Sequence, residues 1–186
     1  MELFTQDSPA VYEDQTVERL SRLAMHDDLT HLPNRRYLES FLRYKVEELE
    51  QSGRGFAVLF ADIDNFTRFN NLYGHQTGDQ VLVGLARGVA EHIHSDDLLG
   101  RWGGEEFLGV HALSDPAAAA ALGENFRRLV SGVQVQAAGQ PGALRITASV
   151  GVAVARPGDS AEALIARADR LMYQAKAAGK DQVRTG

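Results

Sequence analysis

The stretch FAVLFADID, Phe56 to Asp64, constrains the fold more than any other segment of the chain. Its apolar part is uninterrupted and only a strand's length, which suits a strand buried on both faces in the middle of a sheet. The run then ends in two carboxylates, Asp62 and Asp64. Strand residues two apart share a face, so both emerge on one side at the carboxyl end of the strand, where α/β sheets hold ligands. A charged end on an otherwise apolar strand needs a chemical reason.

The flanking segments supply the layers that such a strand requires. Residues 13 to 25 carry Val17, Leu20, Leu23 and Ala24 at the spacing of one helical face, which predicts a lead-in helix. The turn at Pro33 and Asn34 caps a second helix, RRYLESFLRYKVEELEQ, which Gly53 and Gly55 end. After the central strand come a short helix, NFTRFNNLY, stopped at Gly74, and a longer one, GDQVLVGLARGVAEHI. A hairpin follows, DDLLGRW and EEFLGVHAL around Gly103 and Gly104, and then a helix opened by Asp115 and Pro116. Strand-like LRITASVGVAVA and a final helix, SAEALIARADRLMYQAKAAG, complete the order. Strands interspersed with helices, with one hairpin among them, predict an α/β fold: a mixed central sheet covered by helices. The predicted organisation is a lead-in segment over residues 1–23 and one domain over residues 24–186.

Composition removes several classes of function. A formal net charge of −6 argues against general nucleic-acid binding, which depends on a basic surface. The 186 residues include no cysteine, so neither a disulfide framework nor a thiolate metal site can form. No apolar run reaches the length of a membrane span, and MELFTQDSPA lacks the basic start and apolar core of a secretory signal. The expected location is cytoplasmic, with no membrane contact within this chain. A small anionic ligand stays open, provided that metal ions or a few lysines supply the local positive charge.

A hairpin beside the central strand would bring Glu105 and Glu106 from its turn to the same edge as Asp62. Carboxylates gathered there repel one another unless a cation sits between them, and hard oxygen ligands suit Mg²⁺. A Gly-Gly turn followed by charged residues is also an ordinary surface hairpin, so the strings alone leave both readings open. Other motifs fail on inspection. DIDNFTRFNNLY starts like a calcium loop but has Phe66 at a ligand position, Thr67 where the turn glycine belongs and Tyr73 where the closing Glu belongs. Gly179-Lys180 lacks the rest of a phosphate loop, and the letters EAL at Glu162 to Leu164 are a chance string near a helix start.

Five strings taken together carry a specific resemblance: DDLTHLPNRR, FADIDNFTRFNNLYGHQTGD, RWGGEEF, ASVGVAVA and ADRLMYQAKAAGKDQV. In order and spacing, over roughly residues 24 to 183, they resemble the GGDEF family of diguanylate cyclases. The resemblance implies a palm-like nucleotidyl cyclase domain in which a homodimer joins two GTP molecules into cyclic di-GMP. It implies two Mg²⁺ (or Mn²⁺) ions per active site, held by Asp62, Glu105 and the backbone carbonyl of Ile63, with Glu106 in a supporting catalytic role. Gly103 and Gly104 would let the hairpin backbone approach the nucleotide closely. Asn70 and Asp79 match the guanine-reading pair. Lys176 and Lys180 match phosphate-binding cations, expected on one face of the last helix. The backbone amides of Asn65 and Phe66 could hold phosphate oxygens. Taken singly, Asn70 reads as a helix-end cap, Asp79 as a first-turn carboxylate and the lysines as a solvated face.

The chain departs from the family pattern at three places. Thr67 stands where Lys is common and Asn71 where Asp is common, so reduced turnover, or a domain that binds GTP or cyclic di-GMP without making product, is the alternative expectation. The family's product-inhibition site, Arg-x-x-Asp, is degenerate here, with His94 in the Arg position and Asp97 in register. Histidine cannot offer the planar bidentate fork of arginine and is mostly neutral above pH 7, its unperturbed pKa being ~6.5.

Overall fold

The computed structural model describes residues 24–93, 95–113, 115–137 and 141–186. The predicted lead-in helix therefore lies outside the described residues except at its last two positions, and so does His94. Helix α1 (Arg35–Ser52) begins as expected, with Asn34 Oδ1 accepting from Tyr37 N at 3.1 Å, and ends on Gly53 at φ 70°. Strand β1 (Phe56–Ile63) follows and is buried at every position. Then come α2 (Phe66–Tyr73), α3 (His75–His92), the hairpin strands β2 (Leu98–Gly103) and β3 (Glu106–Ala112), a 3-10 turn at Pro116–Ala118 and α4 (Ala119–Gly132). Strand β4 (Ala148–Val154), α5 (Ala161–Ala177) and the short β5 (Val183–Thr185) complete the fold.

The sheet runs in the order β2-β3-β1-β4-β5, antiparallel except for the parallel β4–β5 pair. The mixed sheet predicted from the sequence is thus present, and β1 lies at its centre. Alternation along β1 divides the core in two. Ala57, Leu59, Ala61 and Ile63 pack with residues of α2, α3 and α4, whereas Phe56, Val58 and Phe60 pack with α1 and α5. Burying β1 on both faces stabilises the fold by about 25 cal/mol per Å² of apolar surface removed from water, whereas an unpaired polar side chain there would have to be desolvated at a cost.

Position parity then decides where the acids fall: Asp62 and Asp64 share the α1/α5 side with Phe60. Helix α5 reaches that side closely because Gly151 of β4 has no side chain. A Cβ there would lie 2.1 Å from the Ala168 carbonyl oxygen and 2.4 Å from Met172 N. The same device seats the loop before α1 on the hairpin, since a Cβ at Gly100 would lie 2.1 Å from the Pro33 carbonyl oxygen.

Three sequence expectations shift. The strand predicted from Leu144 begins only at Ala148, because Leu144 instead forms an isolated antiparallel bridge with Val135. Helix α3 starts at His75, ahead of the predicted Gly78, since the Gly74 corner at φ 85° lets the chain turn straight into a new helix. Helix α5 stops at Ala177, so Lys176 and Lys180 do not share a helical face; Gly179, Lys180 and Asp181 follow at φ 121°, 65° and 45°.

Candidate functional site

Asp62 sits opposite Glu106 of β3 and Ser149 of β4 and is only 7% exposed. Burial pushes its carboxyl above the ordinary carboxylate range; Lys176, with Nζ 2.8 Å from Asp62 Oδ2, pulls it back, while Asp64 pushes it further up. Glu105 occupies the hairpin turn, and its carbonyl accepts from Ile63 N at 3.2 Å, so the turn is stitched to the end of β1. Burial raises Glu105, and the Asp62 and Glu106 charges raise it further against the pull of Lys176. Glu106 is raised by burial and then by Asp62 and Asp169, with Lys176 and Arg35 opposing. The three carboxylates expected to meet therefore do feel one another. Ile63 buries its side chain in the core, leaving its backbone as the group it can offer a ligand.

Asp64, two residues on, behaves differently. Its Oδ1 accepts from Ser149 Oγ at 2.7 Å, and its Oδ2 accepts from Thr147 Oγ1 at 2.7 Å and from Asp181 N at 3.0 Å. Asp64 is an internal anchor that ties β1 to the segment before β4 and to the loop after α5. The sequence puts both acids on one face, but only Asp62 is left to the charged cluster.

The hairpin owes its turn to Gly104 at φ 48°, a backbone region costly for a side chain with Cβ. Gly103 faces open space, its nearest contact for an added Cβ being Glu106 Oε2 at 4.0 Å. Arg101 fixes the turn from beneath. Its Nε and Nη2 donate to the Gly104 carbonyl at 2.9 and 2.8 Å, and its Nη1 donates to Asp27 Oδ1 at 3.0 Å. Burial pushes the Asp27 carboxyl up, but hydrogen bonds from Thr30 and Arg101 outweigh it and hold Asp27 below the ordinary range. Sequence reasoning assigned no role to Asp27 or Arg101. Both lie inside the quoted strings, but a pairing across 74 residues leaves no local periodicity to find.

Around the start of α2, Asn65 adopts φ 58° and makes no side-chain cap; its Oδ1 instead accepts from Lys180 Nζ. Phe66 is buried and stacks with Phe69 at a ring separation of 6.3 Å. Asn70 is not a side-chain cap either: its Oδ1 is buried without a hydrogen-bond partner. Gly78 makes that placement possible, since a Cβ there would lie 1.9 Å from Asn70 Oδ1. Asp79 is exposed in the second turn of α3, beside the glycine that Asn70 touches, and so is not the first-turn carboxylate of the bland reading. Lys176 lies on Asp62 and Lys180 on Asn65, so the two lysines converge on the end of β1 by different routes.

Asp97 lies at the far end of the hairpin. It accepts from Ala112 N at 2.8 Å and stands 3.1 Å from His111 Nδ1, which makes it a structural brace between β2 and β3. Among the described residues no three acidic or histidine side chains converge as a ready-made metal cage. Two carboxylates with a backbone carbonyl still fit Mg²⁺, which typically takes one or two protein carboxylates and completes its shell with water and substrate phosphates. A buried carboxylate already paired with an ammonium group shows that the position calls for positive charge.

A mixed five-stranded sheet with an acidic hairpin turn at the end of its central strand defines a palm-like α/β domain. The model of the diguanylate cyclase GGDEF domain matches residues 24–182, and the chain belongs to that family. It is 38% identical over 173 residues to the response regulator PleD of Caulobacter vibrioides, covering 92% of this chain and 38% of that protein. It is 37% identical over 165 residues to the bifunctional diguanylate cyclase/cyclic di-GMP phosphodiesterase MucR of Pseudomonas aeruginosa, covering 87% of this chain and 23% of MucR. The chain thus spans well under half the length of these relatives. Among solved structures, the coiled coil and GGDEF domain of DgcB from Caulobacter crescentus, in complex with c-di-GMP, superposes with a TM-score of 0.88 at 29% identity, covering 95% of this chain and 93% of that one. Among the described residues no helix is long and apolar enough to cross a membrane.

Proposed function

We propose that this chain is a diguanylate cyclase that condenses two GTP molecules into cyclic di-GMP and releases two pyrophosphates, across a homodimer of domains. The observation that carries the reading is the buried Asp62, raised by its surroundings and paired with Lys176, beside Glu105 and Glu106 in a GGDEF-family domain. Asp62, Glu105 and the Ile63 carbonyl would hold the divalent ions, Mg²⁺ or Mn²⁺, which neutralise the triphosphate and favour deprotonation of the attacking hydroxyl.

The chain's own residues bind and orient. Asn70, with its unpartnered buried oxygen, and the exposed Asp79 accept from the donors on guanine's edge. The amides of Asn65 and Phe66 and the ammonium groups of Lys176 and Lys180 receive phosphate oxygens, and Lys176 exchanges its bond to Asp62 for one to substrate as positive charge arrives there. Gly103 leaves the hairpin backbone open to the nucleotide. Glu106 stands across from Asp62 and supports the acidic site. Each domain holds one GTP, so the 3′-hydroxyl of one must be held in line with the α-phosphorus of the other, and two domains must face each other.

The second reading, a domain that binds GTP or cyclic di-GMP without efficient turnover, rests on Thr67 and Asn71. Both are exposed at the start and middle of α2, where the family commonly carries charge. Incubation with GTP and Mg²⁺, followed by chromatography over a wide dilution series, separates the two. Cyclic di-GMP formed with a specific rate that falls on dilution supports the cyclase; bound GTP with no product supports the binding module.

A further inference from the structure

Helix α4 contributes nothing to the site by sequence, yet one of its side chains holds the loop that carries Lys180. Arg127 Nη1 donates to Asp181 Oδ1 at 2.5 Å, while its Nε and Nη2 donate to Glu124 Oε2 and Oε1 at 2.9 and 2.7 Å. Glu124 also accepts from Arg128 Nε at 3.1 Å, so the guanidinium is fixed on its own helix before it reaches across. The helix is seated against this part of the chain at Gly123, where a Cβ would lie 2.5 Å from Val183 Cγ1 of β5. Beyond Arg127 the path continues: Asp181 N donates to Asp64 Oδ2, and Lys180 Nζ donates to Asn65 Oδ1.

The loop between them is strained. Lys180 and Asp181 are consecutive non-glycine residues at φ 65° and 45°, directly after Gly179 at φ 121°. Left-handed backbone costs such residues roughly 1–2 kcal/mol each, so the loop needs contacts that favour this shape over a relaxed one. Two contacts grip Asp181 from opposite sides, Arg127 on its carboxylate and Asp64 on its amide. Released from Arg127, Asp181 keeps the Asp64 bond to its amide, and Lys180 N still donates to the Ala175 carbonyl at 3.1 Å, but the Asp181 side of the turn, and with it the aim of the long Lys180 side chain, is held less firmly. The chain has little phosphate-facing charge to spare, because Thr67 is neutral and Lys176 lies against Asp62.

We propose that Arg127 is a positioning residue for nucleotide binding: through Asp181 it sets the loop that aims Lys180 at the substrate's phosphates. The inference rests on the GTP-binding reading above. The test is competition against labelled GTP with Mg²⁺, using a non-hydrolysable GTP analogue and guanosine in parallel, on the native chain, Arg127→Gln, Asp181→Asn, Lys180→Ala and the Arg127→Gln/Lys180→Ala pair. Loss of one partly exposed ion pair corresponds to about a fivefold weakening, expected for the triphosphate and not for guanosine. The effect should be small or absent in the Lys180→Ala background, since Arg127 acts through Lys180. Equal weakening of guanosine, or full additivity of Arg127→Gln with Lys180→Ala, would show a purely structural role and overturn the proposal. Asp181→Asn guards against misfolding at Arg127, because it removes the charge from the same ion pair on the exposed side and should reproduce the triphosphate-selective loss in the same direction. A native chain that binds no GTP overturns the GTP reading and this inference with it, whereas native binding with an unaltered Arg127→Gln overturns this inference alone.

Discussion

The two ends of the β2–β3 hairpin invite comparison. At the Gly-Gly end, burial pushes Asp62, Glu105 and Glu106 all upward, Asp64 adds to the rise of Asp62, and the Asp62 charge adds to that of both glutamates, with Lys176 as partial compensation. At the far end, a cleft of about 1080 Å³ opens between α3 and α4, lined by Leu99, Phe126, Leu129, Asp97 and His111. That cleft is roomy, but its carboxylate is bonded inward, to Ala112 N and against His111 Nδ1. Volume alone does not locate chemistry. Charge that the fold leaves under-compensated distinguishes the end where the proposed metal ion and phosphate would bind.

The largest effect should come from removing the charge itself. Asp62→Ala and Glu105→Ala are each expected to cut cyclic di-GMP formation by more than about 100-fold, by analogy with the 10–100-fold cost of losing mere outer-sphere support at metal sites. Asp97→Ala at the other end should leave the rate within about twofold, because Asp97 is bonded to Ala112 N and His111 rather than to any member of the carboxylate cluster, and distant sites act independently. Substantial activity in Glu105→Ala would break the contrast between the ends.

Guanine reading gives the next effect. Gly78→Ala forces Asn70 Oδ1 away from a Cβ that would stand only 1.9 Å off, while alanine favours a helix interior over glycine by roughly 1 kcal/mol. GTP affinity should fall about tenfold without a matching loss for phosphate alone, because a donor on the base goes unpaired at roughly 1–3 kcal/mol. Unchanged GTP-over-ATP selectivity in this variant, read by calorimetry, would remove Asn70 from the site.

A smaller effect separates the ends by pH in metal-free protein with EDTA present. Carboxyls raised in the folded state bind protons more tightly than in the unfolded chain, so Asp62, Glu105 and Glu106 make stability rise as pH falls from neutral through their folded values. Groups held down act oppositely. Glu124, lowered to about 2 by Arg127 and Arg128, and Asp27 and Asp159, lowered from 3.8, withdraw their contributions as pH falls below the ordinary carboxylate range. Thermal melts should therefore show a shallow gain on moderate acidification and a loss further down, and Asp62→Asn should flatten the gain. A monotonic fall from pH 7 would contradict the crowding at the Gly-Gly end.

The smallest change in activity, and a distinct one in stability, belongs to the brace. Asp97→Ala leaves Ala112 N without its acceptor, a cost of about 1–3 kcal/mol where the group stays buried and less where water reaches it. A lowered melting temperature with normal turnover is the expected pair of readings. Lost turnover at unchanged stability would move Asp97 from bracing the hairpin to the chemistry.

Several features were legible because they are local. The buried character of FAVLFA, the glycine stops at Gly53 and Gly74, the Asn34 cap and the Gly-Gly hairpin each follow from residue type and spacing within a few positions. The meeting of Asp62 with Glu105 and Glu106 followed from one further step, a hairpin placed beside the central strand. Less local features were misread. The sequence places the end of α5 too late, because AAG reads as good helix up to its glycine, whereas the chain leaves the helix at Ala177 and brings Asp181 to Asp64. Strand β5 went unseen, since Val183–Thr185 is too short to carry a period and forms only because β4 offers it an edge.

By itself the sequence determined the alternation that buries β1, the acids at its end and the glycines that let the hairpin turn, since these depend on side-chain period and backbone freedom. Tertiary structure decided which acid is spent and which is spare. Asp62 and Asp64 have the same chemistry and parity, but Thr147, Ser149 and the Asp181 amide arrive at Asp64 from segments more than 80 residues away, while Asp62 forms its ion pair with Lys176 and feels Lys180 only at longer range. Hydrogen bonds saturate. A carboxylate enclosed by three donors is structural, and its neighbour, left short of positive charge in a buried place, is the one to which the proposed chemistry is assigned.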